Sequence, residues 1–206
     1  MTVTLMQLRR QVRTRIGVPL SDQFQSPEVI DDAIMIALNT FESEARWPWQ
    51  ETTAAPSVTG EAATFDVPAD WMATRSIFLD DDEIVPVSTS DILQWPTTDH
   101  GRPQVYALVD TVVHIRPFPD GAYTFTHLYY RTASSLINDE DVVRMPDQFT
   151  PTIVSKAAEV LSLRGDDRGL AAAHLADYLQ GVGRARREAR RISGPIRTRV
   201  RDGSWI

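Results

Sequence analysis

Four histidines, a run of acids and a block of arginines are the residues of this chain whose types and spacing could do chemistry. His100, His114, His127 and His174 fall in separate stretches of the sequence. Metal ligation or general-base catalysis needs partners at fixed spacing, so these four read as satisfied polar residues. Asp80-Asp81-Asp82-Glu83 could attract a cation, yet it lacks the glycine and the terminal acidic spacing of a calcium loop. It reads as a solvated hairpin turn. Arg164-Gly165-Asp166 spells an adhesion tripeptide but sits between two helical patterns, where turn chemistry accounts for it. Gly181 and Gly183 lie within a helical pattern with no strand before them, so they form no phosphate cradle. No Gly-x-Ser-x-Gly elbow, phosphate loop or His-Glu-x-x-His occurs, and the chain has no cysteine, which removes thiolate catalysis, disulfides and cysteine zinc sites. The expectation is a protein with no catalytic residue, cofactor or metal, and the lack of cysteine fits either a reducing compartment or an indifference to redox.

The arginines remain. Residues 1–15 carry four of them and no acid, while 184–201 carry eight with only Glu188 against them, in a chain of net charge −7. An acidic body therefore has two basic ends. Arg184, Arg187 and Arg191 share one helical face, and Arg186 and Arg190 share another. Three readings stand: a solvated face favoured by the helix dipole, a surface for acidic groups on a partner or a neighbouring copy, and a nucleic-acid contact. The last is disfavoured by the acidic total and the lack of interleaved aromatics. Beyond the helix, Arg197, Arg199 and Arg201 alternate with Ile196, Thr198 and Val200, and the sequence closes on Trp205-Ile206. This is the pattern of an extended segment that adds to a foreign surface, with Trp205 as anchor. The expected partner-binding set is thus Arg184, Arg187, Arg191, Ile196, Arg197, Arg199, Arg201, Trp205 and Ile206.

The elements that must position these residues come in three blocks. At 206 residues, 42% hydrophobic and 24% charged, the chain is globular in composition, with room for one domain or two small joined ones. Its longest apolar run, Ala33–Leu38, is far below the roughly 20 residues of a membrane span, and the N-terminus lacks the apolar core of a signal peptide. Leu5, Leu8, Val12 and Ile16 predict a first helix capped by Thr4 and stopped by Gly17. Ile30, Ala33, Ile34, Ala37, Leu38 and Phe41 predict a second, opening at Ser26-Pro27. From about Ala62 to Arg131, short runs rich in β-branched and aromatic residues alternate with Pro, Gly and Asp, which predicts antiparallel strands. Tyr123–Arg131 carries aromatics on both faces and should be central in its sheet. After Pro146, Ile153, Ala157 and Leu161 predict a helix capped by Thr150. A turn at 164–169 leads to a last helix with a narrow seam of Ala171, Leu175, Tyr178, Val182, Ala185, Ala189 and Ile192. The expected class is α+β. Residues 1–50 with 146–195 form a helical bundle, residues 51–145 an inserted and mostly antiparallel β domain, and 196–206 a tail.

Several local strings, in order, carry a resemblance. They are Arg46-Trp47-Pro48-Trp49, Val67-Pro68-Ala69-Asp70-Trp71, Gly101-Arg102-Pro103 with Tyr106, Ile115-Arg116-Pro117-Phe118-Pro119-Asp120, and Tyr129-Tyr130 ahead of Asp139-Glu140-Asp141. With the order of elements, they make residues 1–192 resemble the head-to-tail adaptor (connector) proteins of tailed bacteriophages. The resemblance implies a structural virion protein at the head–tail interface, made in the host cytoplasm and free of membrane. It further implies a twelvefold homo-oligomeric ring, with the bundle docked to the portal and the β domain facing the tail nozzle or next tail component. Genomic DNA would pass through its channel without sequence-specific contact. An Arg-rich-tailed nucleic-acid-binding or assembly protein and a small-ligand β domain are the competing classes.

Overall fold

The computed structural model describes residues 3–17, 26–60, 62–132 and 135–193. They divide into two units, one formed by the residues up to Trp49 together with those from 135 onward, the other by Gln50–Thr132. The class is α+β: helices at both ends of the chain flank a mostly antiparallel β region.

In the helical unit, α1 (Leu5–Ile16) starts at a capping box in which Thr4 and Gln7 exchange side-chain-to-backbone hydrogen bonds. It ends at Gly17, whose φ of 71° is the left-handed conformation that favours glycine. Helix α2 (Pro27–Ser43) buries all six residues of its expected stripe. Ser26 precedes it without making a cap hydrogen bond; Pro27 removes one orphan N–H, and the hydroxyl turns to Glu28 instead. Helix α4 (Thr150–Arg164) differs more. Thr150 is not its cap, because a 3₁₀ turn at Asp147–Phe149 leads into the helix and places Thr150 inside it, buried. Packed against α1, α2 and α5 (Arg168–Ser193) at once, α4 is buried nearly all round, and its Lys156 is held 2.7 Å from Glu159.

Helix α5 lies close on α4 at one point. A Cβ on Gly181 would sit 2.3 Å from Thr152 Oγ1 and 2.9 Å from Thr152 Cβ. Gly181→Ala should therefore destabilise the helical unit by about 1–3 kcal/mol, outweighing the roughly 1 kcal/mol that alanine returns in helix propensity. Gly183→Ala, which meets nothing nearer than Arg187 Nη1 at 3.8 Å, should stabilise it by about that propensity. Denaturant midpoints of the two variants check the opposite signs.

In the β unit, β1 (Glu51–Ala54) and β2 (Ser57–Val58) both pair antiparallel with β11 (Tyr123–Arg131), whose other edge pairs with β4 (Trp71–Leu79). The last strand is central, as its two-faced aromatic pattern predicts. A short β5 (Asp82–Glu83) completes this sheet against β4. A second sheet runs β3 (Thr64–Asp66), β9 (Val112–Arg116), β8 (Val105–Val109), β6 (Val85–Pro86). Its β6–β8 pair is parallel, as is the short pair β7 (His100–Gly101) with β10 (Phe118–Pro119). Phe65, Ile77, Leu79, Val113, Ile115 and Phe125 fill the core of this unit. A one-turn helix α3 (Thr89–Leu93), capped by Ser88, connects β6 to β7. Residues 135–145, which the sequence pattern places with the strands, pack with the helices: Leu136 and Val143 join their core, and Val142 bridges Thr4.

Candidate interaction surface

Asp167 begins the segment that carries the arginines. Its Oδ1 accepts from Leu170 N–H at 2.9 Å, and Asp166 beside it takes a φ of 57°, so the Arg-Gly-Asp string serves as the turn into α5. Buried Ala171, Tyr178, Val182 and Ala185 then fix the rotation of the helix. The seam is shorter than its sequence suggests. Leu175 is exposed because the packed face runs through Ala171, His174 and Tyr178, and Ile192 because it lies beyond Ala189, where the helix still packs on the core.

With that rotation set, Arg184, Arg186, Arg187, Arg190 and Arg191 all reach the surface. Arg186 turns back to Glu44, 2.7 Å from its carboxylate and 2.9 Å from its carbonyl. Arg191 donates to Glu188 one turn back at 3.2 Å. Among the described residues Arg184, Arg187 and Arg190 make no ion pair. The structure thus brings Arg184, Arg187 and Arg191 together on one exposed face. Ile196, Arg197, Arg199, Arg201, Trp205 and Ile206 lie outside the described residues.

The basic end at α1 is spent differently. Arg9 makes a fork to Asp31 at 2.7 Å and also pairs with Asp139; the hydrogen bond it donates to Asp31 is the main reason its guanidinium is held above its ordinary range. Arg15 pairs with Asp177 and approaches Nδ1 of His174 at 3.4 Å. Burial, with Arg15 beside it, keeps His174 below the ordinary histidine value. Arg10 stands exposed on the rim of a cleft of about 620 Å³ lined by Val3, Gln7, Gln11, Thr14 and Val154. No sequence signal marked this cleft, because Val154 reaches it from a helix that is buried on its polar side as well as its apolar one.

The remaining histidines lie in separate strands of the β unit. His127 is fully buried in β11, its Nε2 2.9 Å from Thr74 Oγ1 and its ring between Phe65 and Tyr129. His114 lies half-buried in β9, and His100 is exposed against Phe118. The acidic run turns at Asp80, with φ 57°, and Arg102 clips it from 3.2 Å at Asp80 and 3.0 Å at Asp82. Among the described residues no group of three His, Asp or Glu side chains could hold a metal ion. Nor is any described helix long and apolar enough to cross a membrane. What the surface offers is charge and exposed apolar side chains.

A family model described as SU10 adaptor protein matches residues 3–199. No curated protein matches the chain.

Proposed function

The chain belongs to the SU10 adaptor protein family, a family of phage structural proteins, and from that membership we propose that it is a head-to-tail adaptor. In this reading it forms a twelvefold ring beneath the portal, joins the DNA-filled head to the next tail component, and lines the channel through which the genome leaves. The family match over residues 3–199 is the observation that carries the proposal. Two physical features support it. A ring is built from contacts between unlike surfaces of identical chains, and one chain here carries both an acidic body and an exposed arginine face. A channel that must let DNA slide gains from few phosphate contacts, since each added cation raises affinity for the backbone; a net charge of −7 suits that.

The C-terminal arginines and Trp205 are proposed to bind the portal or a neighbouring subunit together with Arg184, Arg187 and Arg191. The test is completion of filled heads by purified protein. Full-length chain should restore tail joining to heads assembled without it. Chain lacking residues 196–206 should keep its melting temperature yet restore joining poorly. Restoration by the truncated chain at the full-length level would remove the tail from the proposal. Failure of the full-length chain would remove the adaptor role.

A further inference from the structure

Beside the β4–β5 hairpin lies a cleft of about 330 Å³ whose walls combine Leu79, Ile84, Val85 and Pro103 with Asp82 and Glu83. Apolar walls that end on carboxylates suit a side chain with an aliphatic stem and a cationic head. The hairpin holds its acids in place: β5 sets Asp82 opposite Leu79 and Glu83 opposite Phe78, and Ser76 Oγ donates to one oxygen of Glu83 at 2.7 Å. Asp80, Asp81, Asp82 and Glu83 are all exposed. Arg102 also borders the cleft, but its guanidinium is held on Asp80 and Asp82, which leaves Asp81 and Glu83 for an incoming cation. The surplus is felt nearby: burial raises the Tyr106 phenol above its ordinary range, and the charge of Glu83 raises it further. On α5 the imbalance is reversed. Arg184, Arg187, Arg190 and Arg191 are exposed, and only Arg191 makes an ion pair among the described residues, with Glu188.

We infer that the hairpin cleft receives the arginine face of α5 from a neighbouring copy, with Arg187 seated against Glu83 and with Arg184 and Arg191 on the acids around it. The inference rests on the adaptor reading and names its subunit contact. Charge and spacing choose the occupant. Arginines three or four residues apart on a helix stand about 5–6 Å apart at Cβ, and side chains facing each other across a hairpin about 4.5–5.5 Å, so the two rows match. Hairpin against hairpin, or α5 against α5, would oppose like charges, which costs affinity. The contact is therefore between unlike surfaces, the kind that propagates around a ring.

Reciprocal charge reversal tests it in the full-length chain. One variant carries Arg184→Glu, Arg187→Glu and Arg191→Glu, the other Asp81→Lys and Glu83→Lys; all five positions are exposed, so both should keep the parent melting temperature. Assembly mass is followed alone and with portal. Each variant by itself should form no ring-mass species, whereas an equal mixture should recover it, because each reversed face then meets an opposite one on its neighbour. As a second readout, Arg187→Cys and Asp81→Cys chains, in a sequence without other cysteine, should cross-link under oxidation when mixed and little when separate. Either variant assembling by itself as the parent does, or a mixture that neither recovers the ring nor cross-links, overturns this contact and leaves the adaptor reading standing. An arginine variant that assembles normally but loses affinity for DNA at low salt also overturns it, by assigning that face to nucleic acid. A parent chain that does not assemble with or without portal overturns both readings.

Discussion

Trp47→Ala should destabilise the helical unit by about 3–5 kcal/mol, the range for removing a large aromatic from a packed core. Trp47 is fully buried, its ring stacked 4.8 Å from Phe41 and 5.0 Å from Trp49, which in turn stacks on Phe149 at 5.2 Å. The four rings tie the end of α2 to the entry of α4, so a cavity at Trp47 loosens both. The indole N–H also donates to Phe41 O at 2.9 Å; that carbonyl keeps the Glu44 N–H at 3.3 Å, so losing the indole donor costs only about 0.5–1.5 kcal/mol. Trp47→Phe separates the two effects: it keeps most of the stack and should lose only about the hydrogen-bond share. Chemical denaturation followed by helix signal measures both. A Trp47→Ala chain as stable as Trp47→Phe would show that the stack contributes little.

Acid should weaken the β unit through His127. Burial holds this histidine near pKa 4, against about 6.5 in an unfolded chain. Above pH 6.5 the ring is neutral in both states and adds no pH dependence. As pH falls from 6.5 to 4 the unfolded chain binds the proton and the folded one does not, so stability drops. Below pH 4 both states are charged and the loss levels off. The displacement corresponds to about 3 kcal/mol across that window. In a His127→Gln chain, which keeps a polar group toward Thr74, stability should decline less between pH 6.5 and 4. Parallel pH profiles for the two chains would contradict the assignment.

The sequence made some of these elements legible and hid others for identifiable reasons. Every residue of the Ile30–Phe41 stripe is buried, because α2 has one packed face and one wet face and its periodicity records that. The hairpin through Asp110, with φ 56°, and the central place of Tyr123–Arg131 were equally readable. Strand β1 was not: Glu51-Thr52-Thr53-Ala54 lies on a sheet edge, half in solvent, and carries no run of β-branched apolar residues. Ser26 and Thr150 have the right type for caps, but Pro27 and the turn at 147–149 satisfy those helix starts by other means. At the interaction surface, periodicity placed Arg184, Arg187 and Arg191 on one face. It could not show that Arg186 is taken by Glu44, 142 residues away. Nor could it show that Asp82 and Glu83 share a cleft with Pro103, since the pairing of β6 with β8 brings the two stretches together.

The adaptor reading is tested most directly by the mass of the purified full-length chain, measured alone and mixed with portal rings. The account predicts a discrete species of many 23.1 kDa subunits, closed at the symmetry of a ring, formed by the chain itself or on the portal. A chain that stays at 23.1 kDa in both samples, and gains affinity for DNA as salt is lowered, would contradict it.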